Sequence, residues 1–271
     1  MSETYVHGYA TRENERLHDQ AGVLVDLLHA DTTYPEGSRV LEAGCGVGAQ
    51  TVTLARRSPT AHFTAVDISA ASVAAAQRRI DQAGLTNVEF READLFALPF
   101  SADSFDHVFV CFVLEHLPQP VAALTILKRL LKPGGTITLI EGDHGSTFFY
   151  PQSPAAQAAI QCQVTLQHQA GGNALICRQL YPLLVAAGFE SVRVIPRMVY
   201  VDGSRPDLVD GFTRKTFTAM IEGIREPALT AGLITPELFD AGVQDLHRTT
   251  AADGVFCYTF FKGIGEKLRS A

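Results

Sequence analysis

Apolar and polar positions along this chain fall into blocks whose lengths and periods mark strands and helices. Val40-Leu-Glu-Ala43, Phe63-Thr-Ala-Val-Asp67, Val88-Glu-Phe-Arg-Glu-Ala-Asp94 and Phe105-Asp-His-Val-Phe-Val-Cys111 are short runs rich in β-branched or aromatic residues, as is 136–141, and each reads as a strand. Helical spacing fills the gaps near 49–57, 69–83 and 120–131, with Gly84 as a C-cap. Leu131-Lys-Pro-Gly-Gly135 reads as a helix stop and turn, and Gly142-Asp-His-Gly145 as a loop after strand five. Helices follow at 154–169 and 179–187, a sixth strand at 190–201 and a last strand at 254–262. Between the last two strands, Phe212, Phe217, Met220, Ile221 and Ile224 recur at helical spacing and predict a helical insert over 206–250. At the front, Thr11 caps a helix that carries Leu17, Ala21, Leu24, Val25 and Leu28 on one face and ends near Asp31.

Strands that alternate with helices predict an α/β protein with a parallel sheet and right-handed crossovers. The pattern gives a Rossmann-like, seven-stranded, mostly parallel sheet with helices on both faces. Residues 1–36 read as an N-terminal lid and helix, 37–205 and 251–271 as the core, and 206–250 as a cap. The 271 residues, 46% of them hydrophobic, suffice for one such core with an elaboration. The net charge of −7 argues against a nucleic-acid surface. Cys45, Cys111, Cys162, Cys177 and Cys257 form no C-x-x-C pair, which argues against zinc and for reduced thiols in the cytoplasm. The polar start is no secretory leader, and no apolar run approaches the ~20 residues that span a bilayer.

The chemistry gathers at predicted strand ends. Gly44, Gly46 and Gly48 follow strand one, with Glu42 two residues ahead. A strand, a glycine turn and a helix N-terminus make a loop that a ligand can approach closely. The Gly-x-Gly-x-Gly spacing departs from the dinucleotide fingerprint and points away from a pyrophosphate, hence from a dehydrogenase. Asp67, roughly 20 residues on, suits a pair of ribose hydroxyls, or else caps the helix from Ser69. Asp94 and Leu95 sit at the end of strand three, where an adenine amino group would meet an acceptor. Cys111, Phe112, Glu115 and His116 follow strand four at the edge where open α/β sheets bind ligands. His144, beside Asp143 after strand five, can take a proton near neutral pH; a surface loop histidine is the plainer reading. Phe148, Phe149, Tyr150, Phe212, Phe217 and Met220 suit either an apolar pocket wall or the core of the cap.

Together Glu42-Ala-Gly-Cys-Gly-Val-Gly48, Asp67, Asp94, Val113-Leu-Glu-His-Leu117 and Leu131-Lys-Pro-Gly-Gly135 resemble class I S-adenosylmethionine-dependent methyltransferases, closely over 38–142. The resemblance implies S-adenosylmethionine as cofactor, with the methionine part on the glycine turn, Glu42 orienting that turn or reaching the ammonium group, the ribose on Asp67 beside Ile68, and the adenine on Asp94 and Leu95. It implies that Cys111, Phe112 and His116 line the site. The segment from Gly8 to Leu17 looks like the lid of natural-product methyltransferases, which implies that Tyr9 covers the cofactor and that Arg16 and Gln20 hold its carboxylate. Candidate catalytic groups are His144, His116, Glu115 and Tyr9. No metal is expected, because the paired acids of metal-dependent relatives are missing after strand four. The insert over 206–250 departs from the short hairpin usual in the family and reads as a substrate cap. The expected partner is a small apolar or aromatic acceptor, with no nucleic acid and no membrane; the insert and lid are also candidate contacts of a homo-oligomer. The Asn/Asp-Pro-Pro-Tyr motif of amino-directed enzymes is absent, the chain reading Cys111-Phe-Val-Leu-Glu115. A methyltransferase acting on protein or nucleic acid is thereby disfavoured, while a cyclase recruited from this fold would show the same cofactor residues.

Overall fold

A computed structural model of the chain describes residues 24–269. The expectations for Tyr9, Arg16 and Gln20, and for the helix that Thr11 opens, lie outside the described residues. The strands are β1 Arg39–Ala43, β2 His62–Asp67, β3 Val88–Glu92, β4 Phe105–Cys111, β5 Leu131–Tyr150, β6 Glu190–Asp202 and β7 Val255–Glu266. They form one seven-stranded sheet in the order β3-β2-β1-β4-β5-β7-β6. The pairs β3-β2, β2-β1, β1-β4 and β4-β5 are parallel, while strands six and seven run antiparallel, as the Rossmann-like reading requires. The order reverses between β1 and β4, and the crevice beyond the strand ends there is where such sheets bind ligands.

The chain divides into two compact units, one holding Leu28–Glu141, Cys177–Pro196 and the chain from Phe261 onward, the other built mainly from Gly142–Ile176 and Arg197–Phe260. In the first unit the central strands β1, β2 and β4 are largely buried and read as near-continuous apolar runs, while the edge strand β3 alternates and is partly exposed. Val40, Leu41, Ala43, Val108, Phe109, Val110, Leu139 and Ile140 are all fully buried. Helix α1 Val25–His29 ends at the start of this unit, whose helices include α2 Ala49–Arg57, α3 Ala70–Gln82 and α4 Pro120–Leu130. Ser69 caps α3 by accepting a hydrogen bond from the Ser72 N–H, and Pro120 opens α4 at a position where no amide partner is needed. A buried lysine closes the unit: the Lys262 ammonium donates to Asp31 at 2.8 Å and to Thr32 at 2.7 Å.

The second unit contains α5 Pro154–Gln169, which coincides with its predicted span. A short helix, α6 Leu180–Ala186, belongs to the first unit. The insert forms α7 Pro206–Leu208, a π-helical stretch Val209–Thr218, α8 Ala219–Gly223, α9 Arg225–Thr230 and α10 Pro236–Arg248. Wide π-helical turns bring residues five apart into line. Phe212 and Phe217 thereby share a face and both pack on Tyr258, with ring centroids 5.8 and 5.6 Å away. Phe149, Phe212, Phe217 and Met220 are buried, whereas Phe148 and Tyr150 are exposed.

Two expectations about β5 are corrected. Leu131-Lys-Pro-Gly-Gly135 is part of the strand as a bulge, because Phe105 pairs with Leu131 and His107 already pairs with Thr136, so the glycines are extruded between two paired positions. Gly142-Asp-His-Gly145 is not a loop, since the strand continues to Tyr150. Gly142 is there for closeness: a Cβ at that position would lie 2.3 Å from the Tyr258 hydroxyl.

Candidate functional site

The site is built where β1, β2, β3 and β4 end, inside the first unit. The turn after β1 is tied to the end of β2. The Gly44 and Cys45 N–H groups both donate to the Val66 carbonyl, at 2.8 and 2.9 Å. Asp67 accepts from the Gly46 N–H at 2.8 Å on Oδ2 and from the Ser69 N–H at 2.9 Å on Oδ1. The helix cap is therefore the work of Ser69, and Asp67 braces the glycine turn. About two of the four lone-pair positions of that carboxylate remain for a ligand's hydroxyls. Burial pushes the Asp67 carboxyl up, opposed by the amides of Ser69, Gly46 and Ile68.

The three glycines have three different reasons. Gly44, at φ 78, lies against Val113, whose Cγ2 would be 2.4 Å from an added Cβ. Gly48, at φ 77, lies against α3, where an added Cβ would meet the Ala76 Cα at 2.9 Å. Gly46, at φ 50, faces open space: nothing stands within 4 Å of where its Cβ would be. That opening is the cradle a ligand would enter.

Beneath the turn, Glu42 is buried, and its Oε2 has no hydrogen-bond partner among the described residues. Burial pushes this carboxyl up to about 8; the Thr51 hydroxyl beside it pulls down and the charge of Asp67 adds to the rise. An orphaned buried carboxyl oxygen suits an incoming cation better than empty core. At the end of β3, Asp94 is exposed and caps the 3₁₀ turn Leu95–Ala97 by accepting from the Phe96 N–H at 2.8 Å. Ile68 and Phe96, both large and exposed, stand at the ends of β2 and β3 as apolar surface for a flat ring.

After β4, Phe112 takes a left-handed conformation at φ 57, and a 3₁₀ turn over Leu114–His116 follows. Glu115 and His116 approach to 3.7 Å. Burial pushes the partly buried Cys111 thiol well up, and the nearby Glu141, Glu42 and Glu115 push the same way. Glu42, Gly44, Gly46, Gly48, Asp67, Ile68, Asp94, Leu95, Cys111, Phe112, Glu115 and His116 thus all belong to one unit. His144 and Asp143 belong to the other. The reading of His144 as a surface loop residue is corrected: it is buried within β5, and its Nδ1 is 3.2 Å from the Tyr258 hydroxyl. Tyr258 and Glu141 are absent from the sequence-derived candidates; Glu141 ends an apolar run as Glu42 and Asp67 nearly do, which was the available signal.

Residues 40–135 match the family model described as a methyltransferase domain. That stretch of the chain is similar to a methyltransferase domain. The cofactor of that family is S-adenosylmethionine, and the open Gly46 cradle with the orphaned Glu42 oxygen fits it. Among curated proteins, the chain is 33% identical over 231 residues to an uncharacterized 37.1 kDa transposon protein of Streptomyces fradiae, covering 84% of this chain and 64% of that one. It is 40% identical over 105 residues to a demethylmenaquinone methyltransferase of Clavibacter sepedonicus, covering 39% and 41%. The chain spans between 24% and 64% of the length of these and the other first relatives it matches. Among solved structures, the [4+2]-cyclase SpnF shares the fold at a TM-score of 0.57 and 22% identity, covering 93% of this chain and 82% of that one.

Gly46→Ala is expected to cost only about 1 kcal/mol of stability, from its positive φ, yet to weaken S-adenosylhomocysteine binding about tenfold or more. Gly48→Ala is expected to cost more stability, because the clash is with backbone. Chemical unfolding and calorimetric titration of both variants check this, and a Gly46→Ala protein that binds like the wild type would contradict the cradle.

Glu42 also sets a pH dependence. Its carboxyl is raised from 4.5 to about 8 in the folded state, so its contribution to stability is complete below about pH 4.5 and is lost as pH rises toward 8. Glu42→Gln removes that loss. Its melting temperature should therefore gain on the wild type between pH 5 and 8, on the order of several degrees; parallel melting curves across that range would refute the buried neutral acid.

Proposed function

We propose that this chain transfers a methyl group from S-adenosylmethionine to a small acceptor of apolar or aromatic character. The observation that carries the reading is the glycine turn braced by Asp67 and opened at Gly46 within the matched domain. When bound, the cofactor supplies an already activated methyl group. The residues of the chain then have the tasks of holding and aligning. Glu42 takes the ammonium group, the free lone pairs of Asp67 take ribose hydroxyls, Asp94 and the Leu95 amide meet the adenine edge, and Ile68 and Phe96 cover its faces. Cys111 and Phe112 bound the site after β4.

The acceptor reading has support of a different kind. The insert over 206–250 serves as the acceptor cap, with Phe212 and Phe217 buried in its own core against Tyr258. The relatives named for demethylmenaquinone and for ubiquinone biosynthesis favour the same class of acceptor. The net charge of −7 suits a small molecule better than a nucleic acid. Where the acceptor must lose a proton, His116 and His144 are the candidate bases, the latter steadied by Tyr258.

Incubation with methyl-labelled S-adenosylmethionine and a panel of quinol, phenol, indole, amine and terpenoid acceptors tests the reading. Label is expected in a ring acceptor with matching release of S-adenosylhomocysteine. Asp67→Ala should weaken cofactor binding about tenfold or more, and His144→Ala should lower kcat more than it changes cofactor affinity. Tight cofactor binding with no transfer to any acceptor would favour a non-transferase role and count against the proposal.

A further inference from the structure

Glu141 is fully buried at the end of the β5 segment that belongs to the first unit. Its Oε1 accepts the Val113 N–H at 3.1 Å and the Leu114 N–H at 2.8 Å. These amides open the 3₁₀ turn Leu114–His116, and Val113, in the capping position, supplies no side-chain cap of its own. The start of a helical turn leaves such donors without partners inside the turn. Glu141 therefore caps this turn from a neighbouring strand, across 27 residues of sequence.

The turn needs an anchor. Phe112 just ahead of it is held in the left-handed region, a conformation that costs a non-glycine residue about 1 kcal/mol or more. The Phe112 N–H donates to the Ile140 carbonyl at 2.9 Å, one residue before Glu141. On its other side the turn meets the cofactor loop, because the Val113 side chain lies where a Cβ of Gly44 would be. A chain of direct contacts thus runs from the Glu141 carboxyl through the Val113 and Leu114 amides to Gly44. The turn itself carries Glu115 and His116.

We propose that Glu141 is a positioning residue of the cofactor site, its carboxyl holding the Val113 and Leu114 amides so that the turn after β4 stays seated on the glycine turn. The inference rests on the reading of that loop as the S-adenosylmethionine site. Glu141 meets no ligand itself and acts through the backbone it caps. Burial, with Glu115 adding, pushes its carboxyl well above the usual range. Glutamine, which keeps the accepting oxygen and the shape, is its near copy; alanine removes the acceptor.

The test measures amide hydrogen exchange by NMR, and S-adenosylhomocysteine binding by calorimetry, on the wild type, Glu141→Gln and Glu141→Ala. In the wild type the Val113 and Leu114 amides exchange slowly. In Glu141→Ala those two amides exchange about tenfold faster or more while the β1 and β4 amides keep their protection, and binding weakens about tenfold. Glu141→Gln stays within about threefold on both readouts. Wild-type binding and exchange in Glu141→Ala, or a Gln variant as impaired as the Ala variant, overturns the inference. Unprotected Val113 and Leu114 amides in the wild type overturn it without any variant, even where Glu141→Ala fails to fold. A wild type that binds no S-adenosylhomocysteine, with these amides protected, overturns the cofactor reading itself and the positioning role with it.

Discussion

The hydrogen bonds that Asp67 makes to the Gly46 and Ser69 amides are the constraint on which the site depends. They join the turn after β1 to the end of β2 and to the start of α3 with a single side chain. With Val66 taking the Gly44 and Cys45 amides, three successive amides of the turn are held, and the turn is fixed in a conformation only glycine adopts cheaply. A carboxylate that spends half its acceptors on the scaffold can place the other half accurately, because its rotamer is set before a ligand arrives.

The acids around the turn share this arrangement. Glu42 near the end of β1 and Glu141 midway along β5 are both buried, each with one oxygen lacking a partner among the described residues. Burying two carboxyls so incompletely works against folding. The large apolar core under them offsets that cost, and local departures from good packing chemistry are what functional sites show. The same physics acts on the nearby Cys111, where burial and three neighbouring acids disfavour the thiolate.

Much of this was legible in the sequence. The five parallel strands, the three glycines and the acids at positions 42, 67 and 94 follow from period, turn chemistry and spacing, which are local properties. What was not legible was set by contacts distant in sequence. Gly142 and Gly145 carry the signature of a turn, yet the strand runs through both, and at Gly142 the missing Cβ leaves room for the Tyr258 hydroxyl. Asp67 permits two readings from sequence, ribose acid or helix cap, and only the structure shows that Ser69 caps α3 while Asp67 braces the turn. The apolar spacing through the insert predicts helix correctly, but nothing in it distinguishes a π-helical turn from an α-helical one, and the pairing of Phe212 with Phe217 depends on that difference. Glu141 is one acid among 29 acidic residues until the fold brings it to the Val113 and Leu114 amides.

The central claim is that the turn over Gly44–Gly48, braced by Asp67, binds S-adenosylmethionine. An NMR titration of the labelled protein with S-adenosylhomocysteine addresses it most directly. The account predicts saturable shifts of the Gly44, Gly46, Ile68 and Leu95 amide signals, with the central β1 and β4 amides little changed. Saturable binding that leaves those four signals in place would contradict it.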